Sequence, residues 1–115
     1  MRKRKKGRKL SRKRDQREAL LKSLVNNLLL NGKIKTTESR AKEVSPIVQK
    51  YISKAKKMNL AQRRFLLRYL HSKTVKKLEK EIAPRYAQRK GGYVRIIKTG
   101  PRKGDSAKMV IMELI

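Results

Sequence analysis

The hydrophobic residues of this chain change their spacing once, and that change limits what the chain can fold into. Between residues 20 and 82 they recur at the spacing of helices. Tyr93 to Thr99 is instead a β-branched run, and Ala107 to Ile115 is a second apolar run that we interpret as extended. The 115 residues suffice for one domain. The sequence therefore predicts an α+β fold, with three to four helices followed by a C-terminal antiparallel β-hairpin.

The first predicted helix carries an apolar stripe from Leu20 to Leu29. Asp15, with Glu18 three residues later, has the spacing of a capping box, and Ser11 is an alternative N-cap one turn earlier. We expect the helix to end at Gly32, which adopts a left-handed conformation without strain.

The next segment, Lys33–Thr37, predicts a short central strand that adds to the hairpin. Thr36 or Thr37 can cap a second helix. Its apolar stripe keeps its phase across Pro46, which predicts either one kinked helix or two nearly collinear ones with Ser45 as a cap. The stripe consists of Ala41, Val44, Val48, Tyr51, Ile52, Ala55 and Met58.

Two shorter helices are predicted before the hairpin. Asn59 is the expected N-cap of a helix from Leu60 to about Leu70, and Ser72 that of a fourth helix. Pro84 is expected to end the fourth helix. Its inner face is predicted to be Val75, Leu78 and Ile82.

The first fourteen residues form a separate kind of segment. Ten of them are Lys or Arg, and the first acidic residue is Asp15. Such a run has no apolar face to bury, and its like charges repel one another. We therefore divide the chain into a basic arm, residues 1–14, and one α+β domain, residues 15–115.

The net charge indicates a polyanionic partner. Lys and Arg number 35 against 8 Asp and Glu, for a formal charge of +27. Nucleic acid is favoured over a membrane or an acidic protein, because the excess is spread over the whole chain. No apolar run approaches the ~20 residues of a membrane span, and no apolar segment follows the basic N-terminus as in a secretory signal. We expect a cytoplasmic protein.

Enzymatic motifs are scarce. His71 is the only histidine, and it lies near a predicted helix end, where a surface or capping role is common. Glu79 and Glu81 point in different directions on a helix and are expected to offset Lys76 and Lys77. The chain has no cysteine and no P-loop or metal-ligand spacing. We predict no catalysis, no metal and no cofactor.

The basic residues cluster at the two ends of the chain, and these clusters are the candidate RNA-binding site. Arginine binds phosphate through a planar fork. Tyr93 can stack on an unpaired base or can be a core residue of the strand. Gly91 and Gly92 can let the backbone approach the RNA or can only form a turn. The candidates are Arg2, Lys3, Arg4, Lys5, Lys6, Arg8, Lys9, Arg12, Lys13, Arg14, Lys35, Arg85, Arg89, Lys90, Gly91, Gly92, Tyr93, Arg95, Lys98, Arg102 and Lys103.

Four ordered blocks of the chain carry a family pattern. They are Gly7–Leu10 near the N-terminus, Ile34–Thr37 followed by Ala41–Glu43, Ala83–Tyr86 with Gly91–Tyr93, and Gly104-Asp105 with Glu113-Leu114. With these blocks the chain resembles the bacterial large-subunit ribosomal protein seventeen family.

The resemblance implies an α+β domain that binds large-subunit rRNA as a structural constituent of the ribosome, as a monomer. It also implies a protein neighbour, ribosomal protein thirty-two of the large subunit. The residues alone leave two other functions open. One is a nucleoid-associated, DNA-compacting protein. The other is a membrane-active cationic amphipath, which the C-terminal β-branched run argues against.

Overall fold

Four helices and three strands make up the computed structural model, which describes residues 14–115. The fourth helix is composite, with a π-helical turn, Leu78–Ile82, between two α-helical parts. The elements are α1 Arg14–Asn31, β1 Lys33–Thr37, α2 Glu38–Lys56, α3 Leu60–Tyr69, the fourth helix with α4 Ser72–Lys77 and α5 Ala83–Arg85, β2 Val94–Pro101 and β3 Lys108–Leu114. The predicted α+β class is confirmed.

The three strands form one antiparallel sheet in the order β1-β3-β2. The C-terminal strand is therefore central, with the hairpin partner on one side and the short strand β1 on the other. Met112 of β3 is opposite both Ile34 and Ile96, and all three pack into the core. Because side chains alternate along a strand, Ile111 and Ile97 lie on the other face of the sheet. The helices thus cover one face of the sheet.

The predicted stripe of α2 forms the middle of the core. Its first six members are buried, and Met58 is half-buried. The helix continues through Pro46, so a single helix forms. Pro46 has no N–H, so the carbonyl of Lys42, four residues earlier, loses the donor that an α-helix would supply. Both residues lie on the exposed side of α2. Water can hydrogen-bond that carbonyl, so the helix survives the proline.

Three predicted helix boundaries are confirmed by their hydrogen bonds. Gly32 has φ of +86°, and its N–H donates to the carbonyl of Leu28 at 2.8 Å. Thr37 caps α2, and Asn59 caps α3 by accepting from the N–H of Gln62 at 2.9 Å. These caps satisfy backbone groups that a helix end would otherwise leave unpaired.

Three other boundary predictions are wrong. Asp15 lies inside the first turn of α1, because the helix already includes Arg14; the alternative cap, Ser11, lies outside the described residues. Ser72 is the first residue of the fourth helix, and His71 occupies the N-cap position. Pro84 does not end that helix. The π-helical turn before Pro84 shifts the pattern of backbone hydrogen bonds. The last turn of the helix can therefore form although Pro84 has no N–H to donate.

Asn26 is a buried polar residue that joins α1 to the start of the fourth helix. Only 3% of it is exposed. Its Oδ1 accepts from the hydroxyl of Thr74 at 2.8 Å and from the N–H of His71 at 3.1 Å. Its Nδ2 donates to the carbonyl of Lys22 at 2.9 Å. Both ends of the amide are therefore satisfied within the core, as burial requires.

The variant Asn26→Ala should lower the free energy of unfolding by about 2–4 kcal/mol. It leaves the buried Thr74 hydroxyl without a partner and removes the hydrogen bonds to the His71 N–H and the Lys22 carbonyl. Denaturant unfolding of the isolated protein measures this loss. The neighbouring Asn27 is exposed, so Asn27→Ala is the matched control and should change stability by less than about 0.5 kcal/mol. Equal losses in the two variants would contradict the role given to Asn26.

Candidate nucleic-acid interface

The segment from Arg85, the last residue of the fourth helix, to Gly92 holds three predicted phosphate-binding cations, and we call it the 85–92 loop. Arg85, Arg89 and Lys90 are all exposed. None of them forms an ion pair with another described residue. Guanidinium and ammonium groups in this state can donate to phosphate oxygens.

Two side chains of α2 hold this loop in place. Gln49 Oε1 accepts from the N–H of Gly92 at 3.0 Å and from that of Tyr93 at 3.3 Å. Lys56 Nζ donates to the carbonyl of Arg89 and, at 2.9 Å, to the hydroxyl of Tyr93. The loop backbone is therefore attached to the helix that supplies more buried residues to the core than any other described helix.

Tyr93 is a core residue and not a surface platform. Only 2% of it is exposed, and its ring lies 5.1 Å from that of the equally buried Tyr86. A base could stack on Tyr93 only if the ring left the core, so of its two predicted roles the structure fits the strand-core one. The hydroxyl of Tyr93 also donates to the carbonyl of Arg89 at 3.1 Å. Tyr93 therefore positions the loop that carries the cations.

The two glycines of the loop differ. Gly92 has φ of +64°, a left-handed conformation that residues with a Cβ rarely adopt. A turn that requires this conformation therefore accounts for the glycine at position 92. Gly91 is exposed, and a Cβ added to it would meet nothing within 4 Å. Its backbone is therefore open to a close approach.

Two of the predicted arginines are already paired inside the hairpin. Arg95 binds Glu113 across the strands through Nη2 at 2.7 Å and Nε at 2.9 Å. Arg102 binds both carboxylate oxygens of Asp105, at 2.6 and 3.1 Å, and this contact lowers the pKa of Asp105 to about 2. Asp105 is therefore ionised at neutral pH. These two arginines consequently offer less free charge to phosphate than the sequence implied.

The other predicted residues are distributed over the domain. Lys35 lies on the open face of the sheet, and Lys98 is paired in register with the core residue Val110 on the helix side. Lys103 is exposed in the hairpin turn. Arg14 is the first residue of α1, and its Nε lies 3.4 Å from Glu18 Oε1. The remaining candidates lie outside the described residues: Arg2, Lys3, Arg4, Lys5, Lys6, Arg8, Lys9, Arg12 and Lys13.

Sequence reasoning missed the contacts that position the site. Gln49 and Gly92 are 43 residues apart, and no local pattern connects them. Glu79 was expected to offset neighbouring lysines, but its carboxylate lies 2.6 Å from Arg63 of α3. The hydrogen bond from Arg63 lowers the pKa of Glu79. A contact between two helices, rather than sequence neighbours, determines the partner of this acid.

Comparison with known proteins identifies the family. Residues 20–115 match the family model described as ribosomal protein L17. The chain belongs to the ribosomal protein L17 family. It is 52% identical over 109 residues to the large ribosomal subunit protein bL17 of Clostridium botulinum, covering 94% of this chain and 96% of the relative. Identity to bL17 of Carboxydothermus hydrogenoformans is 52% over 108 residues, covering 93% of this chain and 96% of that relative. The resemblance drawn from the sequence motifs is confirmed.

The L17 family consists of ribosomal proteins, which have a structural role. His71, the only histidine, is exposed at the N-cap of the fourth helix, and its N–H donates to Asn26. Within residues 14–115 no cluster of three or more acidic or histidine side chains could hold a metal ion. No helix in that range is long and apolar enough to cross a membrane.

The variant Gln49→Ala should release the amides of Gly92 and Tyr93. We expect their hydrogen exchange to accelerate about three- to tenfold, the equivalent of one lost hydrogen bond each. Amide exchange followed by NMR measures this directly. Gln88→Ala, which changes an exposed residue of the same loop, should leave both rates as they are. Unchanged exchange in Gln49→Ala would show that α2 does not anchor the loop.

Proposed function

We propose that this L17 family member is a structural constituent of the large ribosomal subunit that binds 23S-type rRNA and stabilises its packing. The main support is its 52% identity, over 94% of its length, to proteins named for that subunit. The charge agrees with this role, because 35 basic residues against 8 acidic ones suit a protein that stays on RNA. The protein then acts in the ribosome of the bacterial cytoplasm.

Within this proposal the domain and the arm have different tasks. The domain, residues 15–115, docks through the cations of the 85–92 loop, whose backbone is held by Gln49 and Lys56. The geometry of these cations is set by the fold, so they can select a particular RNA surface. The arm, residues 1–14, follows the RNA backbone and neutralises phosphates, a task that tolerates changes of sequence.

Other ribosomal proteins are the expected neighbours in the subunit. Family resemblance points to ribosomal protein thirty-two of the large subunit as one of them. The L17 chain itself is proposed to be a monomer within the ribosome. Cross-linking in purified large subunits tests both proposals, because it reports which chains lie next to this one.

In a sucrose gradient of a cell lysate the chain should sediment with large subunits. Sedimentation with nucleoids would instead favour the DNA-compacting alternative.

The variant Arg85→Gln, Arg89→Gln, Lys90→Gln should dissociate from the subunits at lower salt, because it loses phosphate contacts. Each lost contact should also reduce the magnitude of the slope of log K against log salt by about 0.7–0.9. Lys57, Arg64 and Arg68 are also exposed, so their replacement by Gln is the control with equal charge. Equal behaviour of both variants would remove the 85–92 loop from the interface.

Deletion of residues 1–12 should weaken assembly without unfolding the domain. In reconstituted large subunits we expect lower retention of the shortened chain after a salt wash and less protection of rRNA from chemical probes. A chain with the same arm residues in scrambled order should behave like the original, because phosphate neutralisation tolerates sequence changes. Unchanged assembly and protection after the deletion would refute the arm's role, and failure of the scrambled arm would show that the arm carries specificity.

A further inference from the structure

A second group of cations lines a groove that precedes the 85–92 loop along the fourth helix. The groove, about 470 Å³ in volume, lies between the C-terminal end of α1 and the fourth helix. Leu30 and Asn31 form its α1 side. The fourth helix contributes four lysines, which we call the lysine groove: Lys73, Lys76, Lys77 and Lys80. Their spacing of three and four residues brings them to one side of the helix.

One of these lysines has a structural role and three do not. Lys77 Nζ donates to the carbonyl of Leu30, which satisfies a backbone group at the end of α1. The other three are exposed, and their ammonium groups make no hydrogen bond or ion pair with any residue between 14 and 115: Lys73, Lys76 and Lys80.

The acids near the groove do not neutralise it. Glu81 is the one carboxylate in its lining, against four lysines. Glu79, on the same helix, is bound by Arg63 of α3 at 2.6 Å. Like charges three and four residues apart destabilise a helix, so the free protein holds these ammonium groups together against their repulsion. An anion in the groove would remove that penalty.

We infer that the lysine groove binds the phosphodiester backbone of RNA, as a contact surface in addition to the 85–92 loop and the arm. The inference rests on the proposed function and adds a contact surface to it. Lys73 and Lys80 are seven residues apart, which spaces their charges over roughly 10 Å of helix axis. A series of ammonium groups over this length suits consecutive phosphates. An acidic protein segment is less suited, since Leu30 is the single large apolar residue in the lining and offers no pocket for an anchor side chain.

The position of the groove indicates what the site adds. The arm joins the domain at the N-terminal end of α1, and the groove lies at the C-terminal end. The 18 residues of α1 separate these ends by about 27 Å. RNA bound in the groove and RNA met by the arm where it joins α1 would therefore be held about 27 Å apart, with α1 as the spacer.

The first experiment compares three full-length variants for binding to large subunits reconstituted without this protein. Lys73→Gln, Lys76→Gln, Lys80→Gln should reduce the slope of log K against log salt by about 2–3. Replacement of the same lysines by Arg should retain the slope, because the charges remain. In the control, Lys57→Gln, Arg64→Gln, Arg68→Gln, the magnitude of this slope should fall by less than about one. An equal loss in the control and the groove variant would overturn the inference.

The second experiment locates the bound RNA. The chain has no cysteine, so Lys76→Cys gives a single attachment point for an iron chelate that cleaves nearby RNA. In reconstituted subunits we expect discrete rRNA cuts from position 76 that differ from those produced by Arg64→Cys on α3. Absence of cuts from position 76 in subunits where position 64 does produce cuts would overturn the inference. If the unaltered chain fails to enter large subunits, the proposed function falls and the inference with it.

Discussion

Burial of one face of α2 is the interaction on which the rest of the domain depends. This helix packs against α1, α3, the C-terminal part of the fourth helix and all three strands. Its buried stripe, which begins at Ala41 and ends at Ala55, supplies the apolar contact that offsets the repulsion of a chain with 27 excess positive charges. The same helix also positions the candidate interface, because Gln49 and Lys56 bind the 85–92 loop. One element therefore provides stability and orients the site.

The eight acidic residues decide which cations remain available to RNA. Glu79 binds Arg63, Glu113 binds Arg95, and Asp105 binds Arg102. These pairs are partly exposed, so each contributes little to stability. Their larger effect is on the distribution of charge. The paired arginines are neutralised locally, while the 85–92 loop and the lysine groove keep cations without acidic partners in the described part of the chain.

Local sequence signals predicted the elements well where the backbone itself imposes the outcome. Gly32, Thr37 and Asn59 mark helix boundaries because left-handed backbone and N-cap hydrogen bonds involve residues only a few positions apart. Prediction failed at Pro84, where a π-helical turn changed the hydrogen-bond ladder ahead of the proline. Nothing local distinguishes that turn from an α-helical one. Tyr93 shows the same limit, because its ring packs against Tyr86 and its hydroxyl accepts from Lys56, which is 37 residues away in α2.

The amino-acid sequence by itself determined the helix-then-hairpin order, the core stripe of α2, the need for a polyanionic partner and the family. Each follows from the periodicity, composition or ordered motifs of the chain, which need no folded neighbour. Only the tertiary structure decided that Tyr93 is an anchor, that Arg95 and Arg102 are paired, and that the lysines of the fourth helix face the end of α1. These outcomes depend on side chains brought together from segments that in most cases are distant in sequence. Charged residues can be counted in a sequence, but packing determines which charged groups become partners.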